Sequence, residues 1–162
     1  MKIIVVDNNS FILYLNKYYT KDLNFEDEHH IEKYFKQIFI KLKQYYHLDI
    51  YGYYNIKVYV NDVYGIIMEA TKLNSDYFKI YNSKVDMKIV IEINSLVLYE
   101  IEDYFLIDLF KEDIKNIFYF NYKYYFTIDK NININKYNLL MEYSRLVYAD
   151  EVNKILTCAI EL

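Results

Sequence analysis

"YYNIKVYVNDVYGIIMEA" (residues 53–70) decides the fold class. Ile56, Val58 and Val60 alternate with Lys57 and Tyr59, the two-residue period of a half-buried strand. A second apolar run, 64–70, follows Asn61-Asp62, and Asn and Asp tolerate the left-handed backbone of tight turns. The stretch therefore reads as a β-hairpin. Gly65 comes just after the turn, where a bulge or a positive φ is expected.

The same grammar recurs on both sides. Residues 2–6 and 11–15 flank Asp7-Asn8-Asn9-Ser10 and read as another hairpin. Residues 85–93 alternate, with Val85, Met87, Ile89, Ile91 and Ile93 on one face and Asp86, Lys88 and Glu92 on the other. Asn94-Ser95 then leads into 96–101, which predicts a third hairpin. Residues 117–120 and 123–128 flank Asn121-Tyr122 and predict a fourth. A short extended run is expected at 77–81 and a closing strand at 154–160.

Two segments carry the helical period. In 26–47, Ile31, Tyr34, Phe35, Ile38, Phe39, Leu42 and Tyr45 recur at three- and four-residue steps. That segment starts acidic (Glu26, Asp27, Glu28) and ends basic (Lys41, Lys43), which suits the helix dipole, and Asn24 is its expected N-cap. In 136–148, Leu139, Leu140, Tyr143 and Val147 form the apolar side. Residues 102–114 fit either a short helix beginning at Asp103 or an extended chain. The expected fold is α+β: antiparallel hairpins with two main helices. An N-terminal ββαββ unit (1–72) and a C-terminal ββ(α)ββαβ unit (84–162) are expected, as subdomains or as one continuous domain.

Composition limits what this fold can do. The 162 residues include 22 Tyr, 10 Phe, 23 Ile, 16 Asn and 18 Lys, but one Arg (Arg145), three Ala, two Gly, no Pro and no Trp. The abundant types have AT-rich codons and the scarce ones do not. Most of the tyrosine excess is therefore attributed to genome composition and not to a ligand. A net charge of −4 with evenly spread lysines lacks the basic footprint of a nucleic-acid binder. Cys158 stands alone, so no intrachain disulfide can form, and a reducing, cytoplasmic setting is expected. No run reaches the length of a membrane span, and the apolar stretch after Lys2 is too short for a signal peptide.

Chemical motifs are sparse. Gly52 and Gly65 are too few for a phosphate cradle, and no cofactor is expected. His29 and His30, with Glu26, Glu28 and Glu32, would suit a helical metal site sterically, but there is no HExxH pattern. Cys158 reads as a buried structural thiol in the last strand. The densest carboxylate group is Glu100, Glu102, Asp103 and Asp108, which suits a solvated cap or an acidic docking surface. Tyr59, Tyr119 and Tyr125 fall on outward strand positions, and tyrosine is a good interface anchor.

Residues 99–162 carry one family pattern. "YEIEDYFLIDLF" (99–110), "IFYFNYKYYFTID" (117–129) and "LLMEYSRL" (139–146) precede a terminal strand. This order resembles the C-terminal domain of MecA-type adaptor proteins, with Glu102, Asp103, Tyr119, Tyr124, Tyr125, Glu142 and Tyr143 carrying the match. Ser144 stands where that family has Gly, the segment after Asp103 is shorter, and the N-terminal half has no counterpart. The resemblance implies a non-enzymatic adaptor that presents clients to a AAA+ unfoldase of the ClpC type.

The function expected from the residues is an intracellular, non-catalytic interaction module, in contact with a protein partner or with itself. Its contacts are Tyr59, Tyr119, Tyr125, Glu100, Glu102, Asp103 and Asp108. The alternatives are a small enzyme using Glu100, Asp103, Asp86 and tyrosines in a cleft, and a subunit of a homo-oligomeric assembly.

Overall fold

The computed structural model describes residues 1–21, 23–48, 50–73 and 85–162. The run expected at 77–81 lies outside them. Among the described residues, two five-stranded, mostly antiparallel sheets and four α-helices make an α+β fold. Contacts divide the chain into two compact units: Met1–Val60 with Tyr64–Ile93, and Asn61–Val63 with Asn94–Leu162.

The first unit contains β1 (Lys2–Val5), β2 (Ser10–Asn16), α1 (Glu28–Tyr46), β3 (Gly52–Asn61), β4 (Gly65–Lys72) and β5 (Val85–Glu92). The sheet order is β1-β2-β4-β3-β5. One face carries Phe11, Leu13, Leu15, Tyr54, Ile56, Val58, Ile66, Met68 and Met87. Ile31, Phe35, Ile38, Phe39 and Leu42 of α1 pack in the same cluster. Alternation on the strands and the three- and four-residue period of the helix thus meet in one core. The helix N-cap is Asp27, which accepts from the His29 and His30 N–H groups; Asn24 caps the preceding turn through Glu26 N. Tyr45, placed on the apolar stripe by spacing, is exposed.

Strand 85–93 does alternate as expected, but its neighbour differs. It pairs in parallel with β3, Gly52 opposite Val85 through Tyr59 opposite Glu92, and makes no hairpin with 96–101. Alternation reports which face is buried, not which strand lies alongside. By Leu73 the chain is back where β3 begins, since Leu73 N–H donates to Tyr53 O at 2.9 Å. A parallel partner for β3 therefore needs no helix-length crossover. At Gly65 φ is +124°, and an added Cβ would lie 2.4 Å from Leu15 O. This position requires glycine because β2 passes against its backbone.

The second unit contains β6 (Leu98–Ile101), α2 (Tyr104–Phe110), β7 (Ile114–Phe120), β8 (Lys123–Ile128), α3 (Ile134–Tyr143), β9 (Arg145–Val147), α4 (Asp150–Cys158) and β10 (Ile160–Glu161). The order is β10-β7-β8-β6-β9. All four residues of β6 are buried, which suits its interior place between β8 and β9. Asn121 and Tyr122 both have positive φ (49° and 62°), the two-residue turn expected between β7 and β8. Val152 and Ile155 of α4 pack with Leu98, Tyr125 and Val147 on one sheet face. On the other face, Tyr137 of α3 meets Tyr99 edge-on, and Tyr104 of α2 meets Tyr124.

Two expectations fail here. The helix expected over 136–148 stops at Tyr143, because Ser144 is extended and Arg145–Val147 joins β6 as a strand. The strand expected at 154–160 is mostly α4. Its acidic start, Asp150 and Glu151, and the three-residue step from Val152 to Ile155 outweigh β-branched propensity. Cys158 therefore ends a helix and is exposed. Among the described residues, no helix is long and apolar enough to cross a membrane.

Candidate functional site

Glu100 lies on β6, an interior strand of the second sheet, in register with Tyr125 on β8 and Arg145 on β9. Its side chain is 5% exposed. A carboxylate so placed must be matched or protonated. It is matched twice: Lys123 Nζ donates to Oε1 at 2.7 Å, and Arg145 Nη2 donates to Oε2 at 2.5 Å. Burial pushes the Glu100 carboxyl up, yet the bonds from Arg145 and Lys123 prevail and hold it below its ordinary value. Burial also raises the Tyr125 hydroxyl, and its cross-strand neighbour Glu100 adds to the rise.

The network extends outward from this pair. Arg145 forks onto Glu151 of α4, at 3.1 Å and 2.6 Å, and Lys123 reaches Glu102 at 3.2 Å. Glu100, Glu102, Asp103, Leu106, Lys123, Tyr143 and Arg145 line a hollow of 430 Å³. Chemically this is a saturated ion-pair cluster. Acid–base catalysis by two carboxylates needs one kept protonated, and Glu100 is held ionised by two cations. Asp103 is the N-cap of α2, accepting from Phe105 N–H at 2.9 Å. Asp86, the third acid of the enzyme alternative, lies on β5 in the first unit and faces Lys36 at 3.8 Å. Among the described residues, no three His, Cys, Asp or Glu side chains gather to hold a metal ion.

Beside the cluster, α2 presents a different surface. Its sequence, YFLIDLF, is apolar at every position except Asp108. Ile107 and Phe110 turn inward and are buried. Phe105 is 80% exposed, and Tyr104 and Leu109 are each 55% exposed. Tyr104 stacks obliquely on Tyr124, and Tyr124 on Tyr119, at centroid distances of 5.4 Å and 5.1 Å. Apolar and aromatic groups thus run from α2 onto the β7–β8 hairpin. Glu102, Asp103, Asp108 and Glu112, all exposed, lie in and beside the helix sequence.

No family model, curated protein or solved structure matches the chain.

The residues expected to make contacts separate into three groups. Tyr59 and Tyr125 are buried, so neither is the outward anchor that strand alternation suggested. Alternation assigns a side chain to a face of its strand and does not say whether that face is exposed. Tyr59 donates to Glu69 Oε2 at 3.4 Å, and Tyr125 packs in the α4 core. Tyr119 is half-buried within the aromatic run. Glu100 is buried in the cluster, whereas Glu102, Asp103 and Asp108 are exposed. Arg145, Lys123, Phe105 and Leu109 are not among the contact residues expected from the sequence. The one Arg among 18 Lys was the available signal for Arg145, because a planar fork serves two carboxylates as an ammonium cannot.

Proposed function

We propose that the chain is an intracellular, non-catalytic protein-interaction module whose contact surface is the outer face of α2 with the neighbouring Tyr104–Tyr124–Tyr119 run. The observation that carries this reading is Phe105, at 80% exposure in a helix that is apolar nearly all round. Such a helix is ordinarily covered on both sides, and exposed aromatics that adjoin further apolar groups serve as interface anchors. The fitting partner is a protein with an apolar groove bordered by Lys or Arg. Residues 94–162 hold 11 acidic and 7 basic residues, and residues 1–93 hold 12 of each, so the negative charge belongs to the segment that bears α2. Exposed acids would steer such a partner and set its orientation.

The resemblance of residues 99–162 to the C-terminal domain of MecA-type adaptors gives the finer proposal: an adaptor for a AAA+ unfoldase. The order of α2, the Tyr-rich β7–β8 hairpin, α3 and β9 supports that reading, whereas α4 stands where the resemblance placed the terminal strand. Affinity capture from the cytosol of the source organism, read by mass spectrometry, tests it. Recovery of a AAA+ ATPase supports the adaptor reading; recovery of other partners alone removes it and leaves the interaction module.

A further inference from the structure

The first sheet starts at β1, which pairs only with β2 among the described residues. This strand lies open: Ile4, Val5 and Val6 are 39%, 57% and 58% exposed. Val6 N–H donates to Ser10 O at 2.9 Å, which sets the phase of the ladder. Lys2, Ile4 and Val6 turn their backbone groups toward β2, and Ile3 and Val5 turn theirs away from it. Sheet edges are ordinarily guarded by Pro, a bulge or a charge within the strand. Here the register with β2 has no shift, and nothing but aliphatic residues lies between Lys2 and Asp7.

We propose that β1 pairs antiparallel with β1 of a second copy of this chain, about a two-fold axis at Ile4, so that the two first sheets join edge to edge. The strand is complementary to itself in that register. Ile3 faces Val5 of the second copy, and their outward N–H and C=O groups exchange hydrogen bonds. Ile4 faces Ile4 at the axis, and Lys2 faces Val6, with Asp7 next in the chain. The strand carries a cation at one end and an anion at the other. Antiparallel pairing therefore sets each ammonium beside the second copy's carboxylate, whereas parallel pairing would set like beside like. Asp7 is bonded by Asn9 N–H and the Ser10 hydroxyl, and by no cation among the described residues. Residues 1–93 hold 12 acidic and 12 basic residues, so no net charge opposes the meeting of two copies there. One strand from each side is far less than the roughly 20 residues a side of a standard interface. The dimer is accordingly weak, with a dissociation constant in the micromolar range. The inference stands on the first unit alone and does not depend on the reading of α2.

Sedimentation of the full chain from about 1 to about 500 µM tests the pairing. The expected result is a mass that rises from 19.9 kDa toward twice that value. Ile4→Lys sets two ammonium groups face to face at the axis and should weaken the dimer about tenfold or more without moving the melting temperature. Register is read by cross-linking in a Cys158→Ser background. Residues facing each other in a non-hydrogen-bonded antiparallel pair lie about 4.5 Å apart, within disulfide reach. With oxidised glutathione, Ile4→Cys should form a disulfide dimer about tenfold faster than Val6→Cys, although Val6 is the more exposed. A monomer at every concentration, a dimer that Ile4→Lys leaves intact, or equal cross-linking through Val6→Cys overturns the proposal. So does a dimer that Phe105→Asp dissociates, since that gives the contact to α2.

Discussion

Glu100 and Arg145 stand opposite each other on β6 and β9, and the guanidinium donates to the carboxylate at 2.5 Å. The pair joins a strand near the middle of the chain to one 45 residues later, and it fixes how β9 closes the sheet. Removing the cation leaves a buried carboxylate held by Lys123 alone. Arg145→Ala should therefore destabilise the fold by about 1–2 kcal/mol, less than for a fully enclosed pair because the guanidinium is half exposed. Arg145→Lys should recover only part of this, since an ammonium cannot fork between Glu100 and Glu151. Urea unfolding of the three proteins checks the order.

Acid should weaken the same cluster. The folded Glu100 carboxyl lies below its reference value of 4.5. A depressed carboxyl contributes stability that is fully present above the unfolded value and is lost as pH falls through the folded one. The melting temperature should thus fall as pH drops below about 4.5. In Glu100→Gln that part of the acid sensitivity should vanish, although the variant is less stable at neutral pH.

At the alkaline end, Tyr137 takes over. Its hydroxyl is buried, 3.3 Å from that of Tyr99, and burial followed by Tyr99 pushes it well above the reference value of 10.0. For an acid that is neutral when protonated, a raised folded value means stability that is present below pH 10 and lost above it. Tyrosinate absorbance should show a group that ionises only together with unfolding, and Tyr137→Phe should lose that component.

The two glycines should respond differently to alanine. Gly65→Ala places a Cβ 2.4 Å from Leu15 O and 2.6 Å from Asn16 C, backbone atoms that cannot step aside. A loss of about 2–4 kcal/mol is expected, overpacking added to a positive φ. Gly52→Ala meets only the flexible end of Lys72, at 3.3 Å. Its cost should be about 1 kcal/mol, from φ alone. Thermal melts of both variants give the comparison.

Local signals in the chain were legible where the structure is local. The Asn121-Tyr122 turn, Gly65 after its turn, the apolar stripe of α1 and the Asp103 start of α2 all follow from neighbouring residues. Pairing between distant strands was not. Nothing near Val85 says that it lies beside Gly52, and nothing near Arg145 says that it faces Glu100. Tyr59 and Tyr125 show the same limit from the side of exposure. Their alternation marks one face of a strand, but it cannot say whether that face is buried. The candidate surface was half legible: the acids of 100–108 were visible as a cluster, while the outward turn of Phe105 and Leu109 required the helix to be placed on its sheet.

The central claim is that the outer face of α2 binds a protein. Phe105→Asp and Leu109→Asp should leave stability within about 0.5 kcal/mol of the parent, because neither side chain is buried. Tyr45→Asp, at an exposed aromatic on α1, is the control. The most direct measurement is affinity capture from source cytosol with all four proteins side by side, quantified by mass spectrometry. The account predicts a partner held by the parent and by Tyr45→Asp and lost from both α2 variants. Equal recovery of every partner by the α2 variants would contradict it.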